Sequence, residues 1–165
     1  MKRLTAAFSL LFTASSFAQT GYEIKVVLKP YKNQYIYLGH YFGKQYPIID
    51  SVKLNDKSEA IFKGSKKLPG GIYLIGYPGK TGFFEILVDK QQRFSVMADT
   101  ATLAKGIQFI NSQDNVLFNN YQQYMSVKGR QISAWQQQLK TTTSSADSDR
   151  IISKLTKLDK TVLDY

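Results

Sequence analysis

The chain has 165 residues and a formal net charge of +10, with 43% hydrophobic and 13% aromatic residues and no cysteine. That length suffices for one ordinary domain with its own core, and the composition is not that of a disordered chain. Without cysteine, disulfides, thiol redox chemistry and Cys-ligated metal are excluded within these residues.

The first residues, MKRLTAAFSLLFTASSFAQT, have the layout of a secretory signal. Lys2 and Arg3 form a positive start, Leu4 to Phe12 an apolar run, and Ser16-Phe17-Ala18 a small-x-small cleavage site. Residues 1–18 are thus expected to be removed, with Gln19 first in an exported chain of the periplasm or cell envelope. The apolar run is too short to span a bilayer. No cysteine follows it, so no lipid anchor is expected, and no transmembrane segment is expected after cleavage. Losing Lys2 and Arg3 leaves a charge of +8, since every Asp and Glu lies downstream. Such a surface favours anionic partners. The lysines form no stripe of five or more, however, which fits a solvated basic surface and speaks against nucleic acid.

From Gly21 to Ile110 short runs alternate with period two, separated by turn residues about every ten positions. Tyr22, Ile24, Val26 and Leu28 form one face of the first run. Ile36, Leu38, His40 and Phe42 form one face of the second, and Tyr35, Tyr37 and Tyr41 its other face. Further strands are expected at Ile48–Leu54, Glu59–Lys63, Gly71–Tyr77, Phe83–Asp89, Arg93–Ala98 and Ile107–Ile110. Pro-, Gly-, Asn- and Asp-rich turns punctuate them. The expected fold is mainly β with C-terminal α: an antiparallel β-sandwich of about eight strands over residues 19–111, or a partly open barrel, followed by helices.

The period changes after Asn111. Leu117, Tyr121, Tyr124, Ile132, Trp135 and Leu139 keep one helical face, with Ser112 as N-cap and Asp114 at the positive end of the dipole. Gly129 weakens this helix midway. A polar linker, Thr141 to Asp149, is expected before a second stripe at Ile151, Leu155, Leu158 and Val162. Residues 112–165 thus read as a helical hairpin. The stripe still runs at Tyr165, which suggests the front part of a longer polypeptide.

Several chemical motifs are only apparent. GYPGKTG (Gly76–Gly82) contains the Gly-Lys-Thr that ends a phosphate-binding P-loop. The Gly required five residues before Gly79 is Leu74, and a strand composition rather than a helix follows Lys80-Thr81. A hairpin turn is expected there, with Gly79 and Gly82 supplying positive φ, Lys80 and Thr81 facing water, and no nucleotide. His40, the sole histidine, leaves no His pair for a metal, and its apolar companions predict a sheet-buried imidazole. His40, Asp50 and Ser51 could spell a triad, but no G-x-S-x-G elbow accompanies them. Glu59 and Glu85 could pair as in glycoside hydrolysis, although surface or turn roles suit them better. Asp147-Ser148-Asp149 resembles an EF-hand start, but Arg150-Ile151-Ile152 breaks the pattern and a helix start reads better. No catalytic residue, metal ligand or cofactor is assigned.

The candidate binding face is the segment PYKNQYIYLGHYFGKQYP, with Tyr31, Tyr35, Tyr37, Tyr41 and Tyr46 among Lys32 and Lys44. Aromatic rings beside cations can stack sugars or bases. The competing expectation is a strand covered on both faces, by the other sheet and by the helices.

In order, GYEIKVVLKPYKNQYIYLGHYFGKQYPIIDSVKL, IFKG, LPGGIYLIGYPGKTGFFEILVDKQQRFSV and INSQDNVLFNNY resemble the uncharacterised N-terminal β domain of exported TlpA/ResA-type thioredoxin-like proteins of the Bacteroidetes. The resemblance covers about Gly21 to Tyr124. Its markers are Asp50-Ser51, Leu-Pro-Gly-Gly-Ile-Tyr, Phe84 to Asp89, and Ser-x-x-Asn at Ser112 to Asn115. The family's redox chemistry lies in a downstream Cys-x-x-Cys domain, which nothing in this chain matches. The resemblance therefore implies a non-catalytic accessory module that positions a thioredoxin-like domain, dimerises it or recognises its substrates. The alternative is a stand-alone exported binding module for glycan or another anionic envelope polymer.

Overall fold

The computed structural model describes residues 21–103 and 106–163. The signal-like segment and its cleavage site lie outside the described residues. The chain is mainly β, with eight strands in two four-stranded sheets and two C-terminal helices.

The strands are β1 (Tyr22–Lys29), β2 (Tyr35–His40), β3 (Ile48–Lys53), β4 (Glu59–Gly64), β5 (Gly71–Gly76), β6 (Phe83–Val88), β7 (Arg93–Asp99) and β8 (Gln108–Ile110). One sheet has the order β4-β1-β7-β8 and the other β3-β2-β5-β6. The period-two reading locates each strand to within about two residues. It did not foresee one pairing: β1 and β7 run parallel, with Ile24 opposite Phe94 and Val26 opposite Val96, in an otherwise antiparallel pair of sheets. A parallel neighbour needs a long crossover. Here the chain builds β2 to β6 between the two partners.

Alternation places one face of every long strand inward. Ile24, Val26 and Leu28 of β1, Ile36 and Leu38 of β2, Ile75 of β5, and Ile86 and Val88 of β6 are almost wholly buried, around Phe62 of β4. Each such side chain contributes roughly 1.5–3 kcal/mol on leaving water. Tyr77, just past β5, is buried between Tyr31 and Phe84 with ring centroids 6.2 and 6.3 Å away. Its hydroxyl has no hydrogen-bond partner, and burial raises its pKa. Since an unmet buried hydroxyl is costly, Tyr77→Phe is expected to raise the urea-unfolding free energy by about 1 kcal/mol. A loss of stability instead would mean that the hydroxyl is satisfied in solution.

Helix α1 spans Gln113–Thr141 and α2 Ser145–Leu163. One expectation about this region is corrected, the extent of the linker. Helix α1 runs unbroken through Gly129 for 29 residues. The linker is only residues 142–144, because Ser144 begins α2 by accepting the Asp147 N–H at 3.4 Å. Asp147-Ser148-Asp149 is thus a helix start, as expected. Along the apolar stripe of α1, Leu117 and Tyr121 are exposed, whereas Ile132, Trp135 and Leu139 are half-buried. On α2, Ile151 and Leu158 are buried, and Lys154 places its ammonium 5.8 Å above the Trp135 ring. These contacts make the two helices a hairpin.

The start of α1 meets β6 and β8, one edge strand from each sheet. Asn115, fully buried, makes this junction. Its Oδ1 accepts the Leu87 N–H and its Nδ2 donates to the Leu87 carbonyl, both at 2.7 Å. The amide stands in for one residue of a missing neighbour strand and closes that edge. Ser112 sits at the N-cap position but caps no backbone N–H; its Oγ accepts from Asn115 Nδ2 at 2.9 Å. Gln92 plays a similar part elsewhere. It accepts from the Leu68 N–H at 3.0 Å and donates to the carbonyls of Leu68 and Asp89 at 3.1 and 2.6 Å.

Candidate functional site

The two outward sheet faces differ in kind. On the β4-β1-β7-β8 sheet, Lys25 and Arg93 flank Glu23 at 3.5 and 3.4 Å, and exposed Ile61 and Ile110 stand apart at the two edges of the Lys25 row. The other sheet presents apolar groups. Its cross-strand rows are Ser51–Tyr37–Gly76–Phe83 and Ile48–Gly39–Leu74–Glu85. Because α1 is seated on the β6 edge, it leaves the outward face of β2 open. The expectation that the helices cover this face is therefore corrected.

A trough of about 300 Å³ crosses this face. Gly39 and Gly76 pave it, while Tyr37, Tyr46, Ile48 and Phe83 rise around it. The wall is set by a tight connection between β2 and β3. Phe42 and Gln45 exchange both backbone hydrogen bonds at 2.9 and 3.0 Å, and Gly43 takes φ 59°. This turn brings Tyr46 against Phe83, centroids 5.7 Å apart, and against the edge of Tyr41 at 5.2 Å.

Lys80 stands at the mouth. The GYPGKTG segment is the expected β5–β6 hairpin connection, closed by Tyr77 N–H to the Gly82 carbonyl at 2.8 Å. Strand β6, not a helix, follows it, so no ring of helix N–H groups is available for phosphate. Positive φ falls on Gly79 (66°) and Lys80 (58°) rather than on Gly82. Lys80 does not simply face water as expected, because its ammonium lies 5.7 Å from the Tyr37 ring centroid. Among the described residues no carboxylate pairs with it.

Glu85 marks the opposite end of the face. It accepts hydrogen bonds from the Tyr41 hydroxyl and from Nε2 of Gln122 on α1, fastening strand, turn and helix together. The Tyr41 pKa rises to about 12, first through the Glu85 hydrogen bond, then through burial and the Glu85 charge. The folded state therefore favours the neutral phenol, a preference complete below pH 10 and lost as pH climbs toward 12. The stability difference between wild type and Tyr41→Phe, measured by urea unfolding, is expected to shrink over that interval. A constant difference would show that this hydrogen bond does not persist in solution.

The sequence-derived candidates separate in space. Tyr37 lines the trough, and Tyr41 and exposed Lys44 belong to the adjoining turn. Tyr35 is exposed two residues before Tyr37 on β2. Tyr31 is half-buried against the core and does not belong to this face. Gly39, Gly76, Ile48, Phe83 and Lys80 were not foreseen as one site.

The triad and carboxylate pairs are not assembled. His40 is half-buried rather than sheet-buried, with Nδ1 3.1 Å from the Tyr41 carbonyl, and Phe42 beyond it is exposed. Asp50 accepts from the Tyr22 hydroxyl at 3.3 Å and from the Ser51 N–H at 2.7 Å, while Ser51 is exposed opposite Tyr37. Glu59 lies on the other sheet from Glu85 and accepts from Asn55 at 3.1 Å. Among the described residues, no group of three His, Asp or Glu could hold a metal ion, and no helix is long and apolar enough to cross a membrane. In comparison with known proteins, the sequence matches no family model, and no curated protein matches it.

Proposed function

We propose that this chain is a non-catalytic recognition module of the cell envelope, accessory to a thiol–disulfide oxidoreductase-like protein of the thioredoxin family. The observation that carries the reading is the uncovered aromatic trough on one sheet face, set against ion pairs and scattered isoleucines on the other. Apolar side chains that close no core and border a concave surface suit a partner's side chains. The resemblance of Gly21 to Tyr124 to the β domain of exported thioredoxin-like proteins supplies the context.

The trough offers few hydrogen-bonding side chains, namely Tyr37, Tyr46 and Lys80. Sugars carry many hydroxyls that lose water on burial, so a protein partner is favoured over glycan. A photo-crosslinking residue at Tyr46, in the chain expressed with its signal segment, tests the reading. It is expected to trap a thioredoxin-fold oxidoreductase or a thiol protein that the oxidoreductase acts on, in the envelope fraction. The same probe at Met97, on the other sheet, should not. Retention of the chain in the cytoplasm, or equal adducts from both positions, would overturn it.

A further inference from the structure

We propose that the trough binds an extended polypeptide segment presenting an apolar or aromatic side chain and, two residues along on the same face, an acidic one. This deepens the recognition role above and rests on it. The size comes first: about 300 Å³ is at the lower end for ligand sites and leaves room for one large side chain. The floor supports the same choice. Gly39 and Gly76 lie diagonally on adjacent strands, so the gap runs across β2 and β5 rather than along either. A side chain descending from a peptide laid over the sheet reaches the backbone there, between Tyr37, Tyr46 and Phe83.

Charge sets the neighbour. Lys80 at the mouth has no carboxylate partner among the described residues. Exposed Lys53 lies on the same outward face, opposite Tyr35 and one row beyond Tyr37. Glu85, the nearest row's acid, is engaged by Tyr41 and Gln122 at the other end. A carboxylate beside the inserted side chain would thus meet an unpaired cation, and a lysine there would meet repulsion. The second hollow, beside His40, lacks such a feature: Tyr73 donates to the Pro69 carbonyl at 2.8 Å, and no cation lines it.

Gly76 permits a clean test. Its φ is not in the left-handed region, and the atoms nearest a Cβ there would all belong to Tyr37, namely Cβ (3.4 Å), Cδ2 (3.7 Å) and the carbonyl oxygen (3.7 Å), all ordinary contacts. Gly76→Val should therefore fill the trough and leave the sheet intact. The probes are fluorescein-labelled, end-blocked short peptides with Phe two residues from Glu, Gln or Lys, so that both side chains share one face, plus one with Ser replacing Phe, read by anisotropy at low salt.

The Phe–Glu peptide is expected to bind about tenfold more tightly than Phe–Lys, and the Ser peptide about tenfold more weakly than Phe–Glu. Gly76→Val should reduce Phe–Glu binding by about tenfold or more, at unchanged melting temperature. Lys80→Gln should bring Phe–Glu and Phe–Gln to equal affinity. If Gly76→Val unfolds, Phe83→Glu replaces it and should reverse the charge preference. Equal binding of the Glu and Lys peptides, Gly76→Val binding as wild type, or binding of decanoate without peptide would each overturn the proposal. Loss of the peptide preference with Tyr46 crosslinking retained would reject this ligand class alone; loss of both would reject the recognition role.

Discussion

Replacing Asn115 with leucine will lower the unfolding free energy by about 3 kcal/mol, roughly a 6–12 °C drop in melting temperature. The side chain is wholly buried and makes three hydrogen bonds, two with Leu87 and one with Ser112. Leucine has a similar volume, so little of the loss comes from a cavity. It comes from leaving the Leu87 N–H and carbonyl unpaired at a strand edge where α1 excludes water. Asn115→Asp separates the contributions, because the carboxylate can accept from the Leu87 N–H but can donate to neither remaining partner. It should be about as destabilising at neutral pH and recover in part in acid, where the carboxyl group carries a proton. Ser112→Ala, which removes one acceptor, should cost only about 1 kcal/mol. A mild Asn115→Leu variant would mean that the helix is not anchored through this amide.

Asn115 also explains which parts of the architecture were legible in the sequence. Strand periodicity is local, so eight strands and their inward faces could be read from alternation at Ile24, Val26 and Leu28 or Phe84, Ile86 and Val88. Pairing partners carry no period. The parallel β1–β7 match depends on how β2 to β6 cross between the sheets, which no short stretch encodes. Ser112-x-x-Asn115 could be recognised as a marker, but its partner Leu87 lies 28 residues earlier than Asn115. Without that contact, the landing place of α1 is open, and so is the question of which sheet face stays uncovered. The trough was half-visible for the same reason. Tyr37 and Tyr46 stand out by chemistry, whereas Gly39 and Gly76 acquire meaning only once β2 and β5 are in register.

The second large effect follows from that register. Ile75→Ala is expected to cost about 3–4 kcal/mol, whereas Phe83→Ala should cost about 1 kcal/mol or less, measured by urea unfolding. The two residues occupy neighbouring strands of one sheet, yet Ile75 is fully buried between the sheets and Phe83 is 43% exposed. Truncating Ile75 leaves a cavity among close-packed side chains, and the surroundings relax only partly. Truncating Phe83 removes mainly its tilted contact with Tyr46, in the range of one aromatic pair. If Phe83→Ala proved as costly as Ile75→Ala, this outward face would be part of the core and the trough would lose its meaning as a binding surface. The expected asymmetry has the opposite consequence. A large ring that adds little to stability and walls a concave apolar surface retains its burial energy for whatever enters beside it.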